Sequence, residues 1–337
     1  MSCRNNNGGG DSPKPTHVTT PYQPIIPESF PVMSVPEDNP MTVEGVQLGR
    51  RLFYEPLLSG DNTISCAACH LQELNFSDPR KFSIGIDGLE GKRQSMPIIN
   101  LGWGSQFFWD GRAASLEQQA LGPVHDPLEM HEDWTTAVAE LQATEDYPDL
   151  FFKAFGTETI TKELTTKAIA QFERTLISGN SRYDKVIKEG NGVFFTDDEL
   201  NGFDLFNSER GDCFHCHSGT LFTDNLFHNN GLDADFIDKG LEKVTGKASD
   251  IGKFKTPTLR NIAVTAPYMH DGRFNTLKEV LDHYSDGVKN SATLDPLMNH
   301  MGGIELTEQE KVELIAFLKT LTDEDFLENP DFGNPIQ

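Results

Sequence analysis

Two short cysteine–histidine motifs have the residue types and the spacing of a haem attachment site. They occupy residues 66–70 (Cys-Ala-Ala-Cys-His) and residues 213–217 (Cys-Phe-His-Cys-His). In a Cys-x-x-Cys-His motif the thiols bond to the porphyrin vinyl groups and the imidazole binds the iron. The alternatives are disulfide bonds and a zinc site, but a zinc site of four cysteines gives the two adjacent histidines no role. The motifs predict two covalently bound c-type haems, attached through Cys66, Cys69, Cys213 and Cys216, with His70 and His217 as iron ligands.

The composition narrows the function further. Two haems confine the chemistry to electron transfer or to reactions of peroxide and oxygen. The 337 residues suffice for two domains, and the 37% hydrophobic content without a membrane-length apolar run predicts a soluble body. A net charge of −24 argues against nucleic-acid binding, which needs lysine and arginine surfaces. The same charge favours an electron donor with a basic or neutral docking face.

The start of the chain bears on location. Covalent haem attachment is completed outside the bacterial cytoplasm, so we expect a periplasmic or other extracytoplasmic protein. Residues 1–24 are rich in Asn, Gly, Pro and Thr and are predicted to be a disordered tail or linker. Cys3 suggests a lipidated first residue after a truncated export signal, with the polar segment as its tether. The alternative is a cloning remnant with an incidental cysteine.

Helices must position these motifs, and capping signals mark where several of them begin. A first helix is predicted over residues 40–54 with Asn39 as its cap. Ser/Thr-x-x-Glu/Gln capping boxes predict four further helix starts, at Ser115, Thr196, Thr276 and Thr307. The last of these helices should bury Leu314, Ile315, Phe317 and Leu318. Strand signals are few and short, so the fold class is mainly α with long loops.

The two halves of the chain share an order of features that predicts an internal duplication. Leu-Phe precedes each haem motif, at residues 52–53 and 205–206, and Asp-Gly-Arg followed by Ser/Thr-Leu comes after each, within residues 109–116 and 270–277. The linker is expected near residues 190–195. The predicted organisation is a tail (1–24), an N-terminal haem domain (25–192), a C-terminal haem domain (193–322) and a second tail (323–337).

Four segments carry a specific family resemblance. Residues 48–53, 108–112, 254–261 and 266–272 resemble the bacterial di-haem cytochrome c peroxidases, a family that includes the MauG-type enzymes. The resemblance runs from about residue 25 to about residue 322. It implies two cytochrome c-like domains, hydrogen peroxide as substrate, and electrons from a small cytochrome c or cupredoxin. It also implies a possible homodimer, because family members are often dimers.

The resemblance distinguishes the two haems. The second ligand of the family's C-terminal haem falls on Tyr284, fourteen residues after His270, whereas the same count from Trp109 reaches Pro123, which cannot bind iron. Residues 71–108 contain no histidine that could block the N-terminal haem. We therefore expect an open N-terminal haem that reacts with peroxide without prior reduction, and a filled electron-transfer haem in the C-terminal half.

Three residues are expected to do the chemistry at the N-terminal haem. The family's catalytic glutamate falls on Glu129, its distal glutamine on Gln119, and its inter-haem tryptophan on Trp109. A carboxylate over an apolar haem face can move the peroxide proton. Glu129 could instead be an exposed loop carboxylate, with His125 and His131 as the next acid–base candidates, and Trp109 could be a core aromatic residue.

Tyr284 is the main departure from the conventional peroxidases, which have methionine at this position. Tyrosinate favours ferric and higher oxidation states, so the C-terminal haem should have a low potential. In this respect the chain resembles the MauG type. The alternative is a core tyrosine, with His283 or a methionine as the iron ligand.

The resemblance also implies residues near the haem propionates and a calcium ion. His270 matches the family's histidine near the propionates, where a structural role is expected. Calcium between the haems is held partly by backbone carbonyls that map to Thr265 and Pro267. Its side-chain ligand maps to Gln94, where asparagine is usual, and either amide oxygen suits calcium.

Three functions remain to be separated. The first is reduction of hydrogen peroxide to water at the N-terminal haem with electrons entering at the C-terminal haem. The second is a MauG-like oxidation of side chains of a partner protein through a bis-ferryl state, favoured by Tyr284. The third is a non-catalytic electron carrier with two filled haems, against which Gln119, Glu129 and Pro123 argue.

Overall fold

The computed structural model describes residues 16–188, 190–298 and 303–335 and has a mainly helical fold, as predicted. The helices in chain order are α1 (Val43–Phe53), α2 (Leu116–His125), α3 (Trp134–Ala143), α4 (Tyr147–Phe155), α5 (Lys162–Glu173), α6 (Arg182–Ile187), α7 (Asp197–Phe206), α8 (Glu242–Thr245), α9 (Leu277–Asp282), α10 (Glu308–Lys319) and α11 (Glu324–Leu327). A two-stranded antiparallel sheet joins β1 (Phe227–His228) to β2 (Phe254–Lys255). None of the helices within the described ranges is both long and apolar enough to cross a membrane.

Each half is built on a helix pair that meets at a glycine. Gly49 of α1 lies against the carbonyl of Ala168 in α5, where an added Cβ would be 1.8 Å from the oxygen. Gly202 of α7 lies in the same way against the carbonyl of Glu313 in α10, at 2.0 Å. In both pairs only glycine permits so close an approach of the backbones. The helices of each pair, α1–α5 and α7–α10, therefore pack closely, and each pair supports the motif of its own half.

Apolar side chains fill one core beside each pair. In the N-terminal half, α1, α2, α4 and α5 surround a core that includes Leu48, Leu52, Val124, Phe151 and Ile169. In the C-terminal half, α7, α9 and α10 enclose Phe206, Phe222, Leu281, Leu314 and Phe317. Of the four residues predicted to be buried on the last long helix, Leu314, Phe317 and Leu318 are buried and Ile315 is half-buried. The internal duplication itself stays a prediction.

Three of the four predicted capping boxes are confirmed. At Thr196, Thr276 and Thr307 the side chain accepts from the N3 amide, and the N3 glutamate accepts from the cap residue. Ser115 caps α2, but the Gln118 Oε1 atom accepts from Ala114 rather than from Ser115. That box is therefore incomplete.

The prediction for the first helix was wrong at its beginning. The helix begins at Val43 with Thr42 as its cap. Asn39 is drawn into tertiary contacts instead, donating to Glu117 Oε1 at 2.8 Å and accepting from Gln171 Nε2 at 2.8 Å. Gln171 also accepts from the Thr42 amide at 2.9 Å, so a side chain from α5 decides where α1 starts.

The ends of the chain differ from the predicted tails where they are described. Residues 16–24 lie along the start of α1, because the Tyr22 amide donates to Met41 and the Val43 amide donates to Thr20. Residues 1–15, including Cys3, lie outside the described part of the chain. At the other end, Phe326 and Phe332 of residues 323–335 pack in one core with Phe53 and Phe76 of the N-terminal half.

One buried ion pair joins the halves. Arg260, 1% exposed, donates to both carboxylate oxygens of Asp184 in α6 at 2.8 and 2.9 Å. Its Nε atom donates to the Thr220 carbonyl at 2.7 Å, and its guanidinium lies 4.7 Å from the Phe30 ring centroid. The pair therefore ties the segment after the second motif to the N-terminal half.

Replacing Arg260 with Leu should lower the free energy of unfolding by about 3–5 kcal/mol, because Asp184 loses its buried counter-ion. Urea denaturation of the haem-loaded protein, followed by far-ultraviolet circular dichroism, measures the change. The matched control is Arg182→Leu, which breaks the more exposed pair with Glu199 and should cost about 0–1 kcal/mol. Equal losses in the two variants would contradict a stabilising role of the buried Arg260–Asp184 pair between the halves.

Candidate active site

The first motif forms a single turn that aims its histidine. Cys66–Ala68 is a short 3₁₀ helix, and the His70 amide donates to the Cys66 carbonyl at 3.0 Å. The His70 Nδ1 atom donates to the carbonyl of Phe76 at 2.7 Å. This hydrogen bond fixes the tautomer and leaves Nε2 as the atom available to a metal.

The second motif repeats that arrangement. The His217 amide donates to Cys213 at 3.0 Å, and its Nδ1 atom donates to the Phe222 carbonyl at 3.2 Å. Phe76 and Phe222 both have left-handed backbone, with φ of 55° and 51°, which turns each carbonyl towards its imidazole. Burial lowers the pKa of both histidines, so both rings are neutral at neutral pH, which is the form in which an imidazole binds a metal.

A cavity of about 650 Å³ opens beside the first motif. Cys66, Cys69 and His70 line it together with apolar side chains that include Val124 and Ile169. Two free thiols, one correctly oriented imidazole and an apolar wall are the surroundings that a haem c requires. The residues present therefore fit this cofactor.

All three predicted catalytic residues line the same cavity. Gln119 and Pro123 reach it from α2, and Glu129 reaches it from the turn that follows. The turn is well fixed, because the Glu129 amide donates to the Asp126 carbonyl at 3.0 Å and the Glu129 carbonyl accepts from Ile86 at 3.0 Å. By the count along the sequence, Pro123 corresponds to Tyr284, the expected iron ligand of the other half. Pro123 lines the cavity but offers no donor atom.

The Glu129 carboxyl has the electrostatics of an acid–base group. Burial raises its pKa to about 7, and the negative charge of Asp126 acts in the same direction while Arg112 opposes it. The described lining of the cavity contains neither His125 nor His131. His131 pairs with Asp87 at the surface, and both side chains are about half exposed. The geometry thus favours Glu129 over the two histidines.

Trp109 connects the cavity to the C-terminal half. It is 8% exposed and lines the cavity, and its indole Nε1 donates to the Gln94 carbonyl at 2.8 Å. Its own carbonyl accepts from the amide of Lys255 in β2 at 2.9 Å. Pro257 lies two residues after Lys255, and its backbone faces the His217 imidazole. Trp109 is therefore both a buried core residue and part of a short path between the two motifs.

Tyr284 lies beside the second motif. A π-helical turn, His283–Gly287, continues α9 and contains it, and such turns occur often at functional sites. The Tyr284 hydroxyl accepts from Asn230 Nδ2 at 3.2 Å. Burial raises its pKa to about 12, and the thiols of Cys216 and Cys213 are near enough to act on it.

His283, the alternative ligand, is engaged elsewhere. Its Nε2 atom donates to the carbonyl of Asn230 at 3.0 Å, and its ring packs 5.8 Å from that of Phe274. The geometry therefore favours Tyr284 over His283 as the residue that faces the second site.

The residues predicted near the propionates and calcium lie in neighbouring segments. His270 is buried and stacks on Phe254 at 3.6 Å, and burial lowers its pKa to about 4. Its carbonyl accepts from the Gln94 amide at 2.8 Å, which places Gln94 near the segment of Thr265 and Pro267. The side-chain Nε2 atom of Gln94 donates to the Asp78 carbonyl at 3.4 Å.

Sequence reasoning missed several charged residues that line the cavity. Arg93 bridges Asp110 at 2.6 Å and Asp238 at 2.7 Å, and Lys255 is buried with its pKa lowered to about 8 by burial. Glu173, at the end of α5, is 3% exposed. The signal in the sequence was a glutamate one turn after Ile169, on a face of α5 that carries no other charged residue within two turns.

Comparisons with known proteins identify the family. The profile of the family described as di-haem cytochrome c peroxidase matches residues 43–192. The methylamine utilization protein MauG of Methylorubrum extorquens is 40% identical over 297 residues, which cover 88% of this chain and 82% of the relative. Cytochrome c551 peroxidase of Nitrosomonas europaea is 34% identical and covers 93% of this chain and 89% of the relative.

Solved structures give the same result. The crystal structure of a MauG-like protein associated with microbial copper homeostasis matches with a TM-score of 0.88 and 39% identity, covering 94% of this chain and all of that one. The di-haem peroxidase BthA of Burkholderia thailandensis, at 21% identity and a TM-score of 0.74, shares the fold and covers 95% of this chain and 99% of its own. The chain belongs to the di-haem cytochrome c peroxidase and MauG family of oxidoreductases, whose peroxidases carry two haems of the c type.

Proposed function

We propose that the N-terminal cavity is the site of hydrogen peroxide reduction, with the haem attached to Cys66 and Cys69 and held by His70. The observation that carries this proposal is the half-buried Glu129, which shares the cavity with His70 and has a pKa raised to about 7. A carboxyl with a pKa near neutrality can both accept and return a proton during turnover.

When bound, the haem supplies the iron at which peroxide is held and through which electrons are exchanged. Glu129 in its carboxylate form takes the proton from the near oxygen of peroxide and delivers it to the leaving oxygen, which departs as water. The Gln119 amide would hydrogen-bond peroxide held in the cavity, and Pro123 would leave room for it. Asp126 and Arg112 set the acidity of Glu129 from opposite directions.

Electrons are proposed to enter through the C-terminal haem, which Cys213 and Cys216 attach and His217 and Tyr284 hold. The donor is a small cytochrome c or a cupredoxin. Trp109 is the relay to the N-terminal site, since its backbone joins β2 and its indole lines the cavity.

Tyr284 specifically favours a second candidate function. An anionic oxygen ligand would stabilise higher oxidation states of the C-terminal haem, so that both haems share the oxidising equivalents, as in MauG-type enzymes. In that case the final electron source is a side chain of a partner protein rather than a small electron carrier.

Four further proposals rest on the family or on the sequence rather than on the geometry of the cavity. They are a calcium ion held by Gln94, Thr265 and Pro267, a periplasmic location, a homodimer, and a lipid anchor on Cys3. His270, neutral and stacked on Phe254, is proposed to support the propionate side of the haems as a structural residue.

The role of Glu129 predicts a pH dependence. Only the carboxylate can accept the proton, so the rate constant for peroxide with the oxidised protein should rise as the pH increases through about 7. Glu129→Gln should lower that rate constant by about 10²–10⁴-fold and abolish the rise. Stopped-flow recording of the Soret band between about pH 5.5 and 8.5 measures both effects. His131→Gln is the control and should behave as the wild type; an unaltered rise in Glu129→Gln would exclude Glu129 as the base.

The role of Tyr284 predicts a difference between two adjacent variants. Tyr284→Phe removes the phenolate and should abolish the low-spin signal of the oxidised C-terminal haem in electron paramagnetic resonance. His283→Ala should keep that signal, because the His283 ring is bonded to Asn230. The opposite pattern would make His283 the ligand.

Steady-state turnover separates the two candidate functions. With hydrogen peroxide and a reduced small cytochrome c, a peroxidase should turn over at an ordinary enzymatic rate of about 1–10³ s⁻¹. A MauG-type protein should bleach its Soret band on adding stoichiometric peroxide but consume the cytochrome poorly. A protein whose spectrum ignores peroxide altogether would be the non-catalytic electron carrier.

A further inference from the structure

One buried carboxyl in the N-terminal cavity has no part in the mechanism above. Glu173 ends α5 and lines the cavity that His70 and Cys66 also line. It is 3% exposed, and its Oε2 atom has no hydrogen-bond partner among the described residues. A buried oxygen without a partner is costly, so its presence calls for a physical explanation.

The neighbouring charges leave this carboxyl largely uncompensated. Two charges act on the Glu173 carboxyl, the Arg174 cation and the Glu117 anion. Arg174 is itself paired with Glu117 at 2.8 Å, and Glu117 also accepts from Asn39. Arginines of the packed helix α1 face elsewhere, since Arg50 donates to the carbonyls of Pro330 and Gly333 and Arg51 pairs with Asp146.

Burial therefore dominates its ionisation. Burial raises the pKa of Glu173 to about 8. The charge of Arg174 lowers this pKa, and the charge of Glu117 raises it. The charged form of an unpaired buried carboxyl is strongly disfavoured. At neutral pH the group is a neutral acid, close enough to its own pKa for a nearby charge to change its state.

We propose that Glu173 is a redox-linked proton site of the N-terminal haem, an inference that rests on the proposed assignment of a haem to the first motif. In the fraction of molecules in which Glu173 is ionised, which is large only near and above pH 8, reduction of the haem by one electron would lead the Glu173 carboxylate to take up one proton from solvent and become a carboxylic acid. When the electron leaves, the proton is released. Reduction of peroxide to two waters consumes two electrons and two protons, so this site holds one of those protons ready.

Coulombic interaction supplies the coupling. An added electron at a separation on the order of 10 Å, through an effective dielectric constant of about 20, changes the proton affinity of a carboxyl by roughly tenfold. Glu129 and Lys255 line the same cavity, and Arg93 with Asp110 and Asp238 lies at its edge. These groups also respond to the haem charge, so the test must isolate Glu173 from them.

Infrared difference spectroscopy of the haem-loaded protein separates the response of Glu173 from that of the other charged groups. At about pH 8.5, the spectrum of the reduced minus the oxidised protein should contain a positive carboxylic-acid band and a negative carboxylate band. Glu173→Gln should lose both, whereas Glu129→Gln should keep the Glu173 component. Glu55→Gln is the matched control, since Glu55 is buried but hydrogen-bonded to Tyr147 and Leu57.

A redox titration against pH gives a second measurement. Full coupling of one proton to one electron changes the reduction equilibrium tenfold per pH unit, or about 59 mV for a one-electron couple. Around pH 8 the slope for the N-terminal haem should be smaller in Glu173→Gln than in the wild type.

The outcomes are distinct. A carboxylic-acid band that persists in Glu173→Gln, or an unchanged slope, overturns the proposal. So does a Glu173 that stays ionised in both redox states as a simple counter-ion of Arg174. If Glu173→Gln fails to fold, Glu173→Asp decides, because a redox-linked acid should move its band to a new frequency. Failure of the wild type to react with peroxide would refute the proposed function and leave the infrared result standing.

Discussion

Each haem site depends on one hydrogen bond, from the Nδ1 atom of a motif histidine to the carbonyl of a phenylalanine five or six residues later. These bonds are 2.7 Å long for His70 and 3.2 Å for His217. They fix the tautomer of both imidazoles with the proton on Nδ1, so that Nε2 is the nitrogen that can bind iron. The left-handed backbone at Phe76 and Phe222 makes the bonds possible, and both phenylalanine rings lie in the cores of their halves. Core packing thus sets the orientation of the metal ligands.

From this shared base the two sites differ in what lies beyond the iron position. In the N-terminal half the helix α2 has an internal proline, Pro123, which lines the cavity without offering a ligand. The Glu129 carboxyl, whose pKa is raised to about 7, lines the same cavity. In the C-terminal half a π-helical turn carries Tyr284 next to the attachment cysteines. Under the proposed function, the reactive and the filled centre differ in one helix of each half, which lacks a donor in the first half and carries one, Tyr284, in the second.

Local signals in the sequence predicted local structure well. Three capping boxes formed as expected because both partners lie within four residues of each other. The start of α1 was misplaced because the deciding partner, Gln171, is distant in the chain. Glu129 was found only through its family spacing, since nothing in its own neighbourhood marks it out among 52 acidic residues. Glu173 escaped notice because its burial depends on the packing of α5 against the cavity.

The contact between the last described residues and the N-terminal half has a consequence for biogenesis. Phe326 packs 5.9 Å from Phe76, whose carbonyl holds His70, and Gln72 donates to the carbonyl of Asn329 at 2.8 Å. The wall behind the first motif is thus closed by a segment that follows the second motif in the chain. Synthesis order and assembly order therefore run in opposite directions: the centre encoded first is closed only after the segment beyond the second centre has been made.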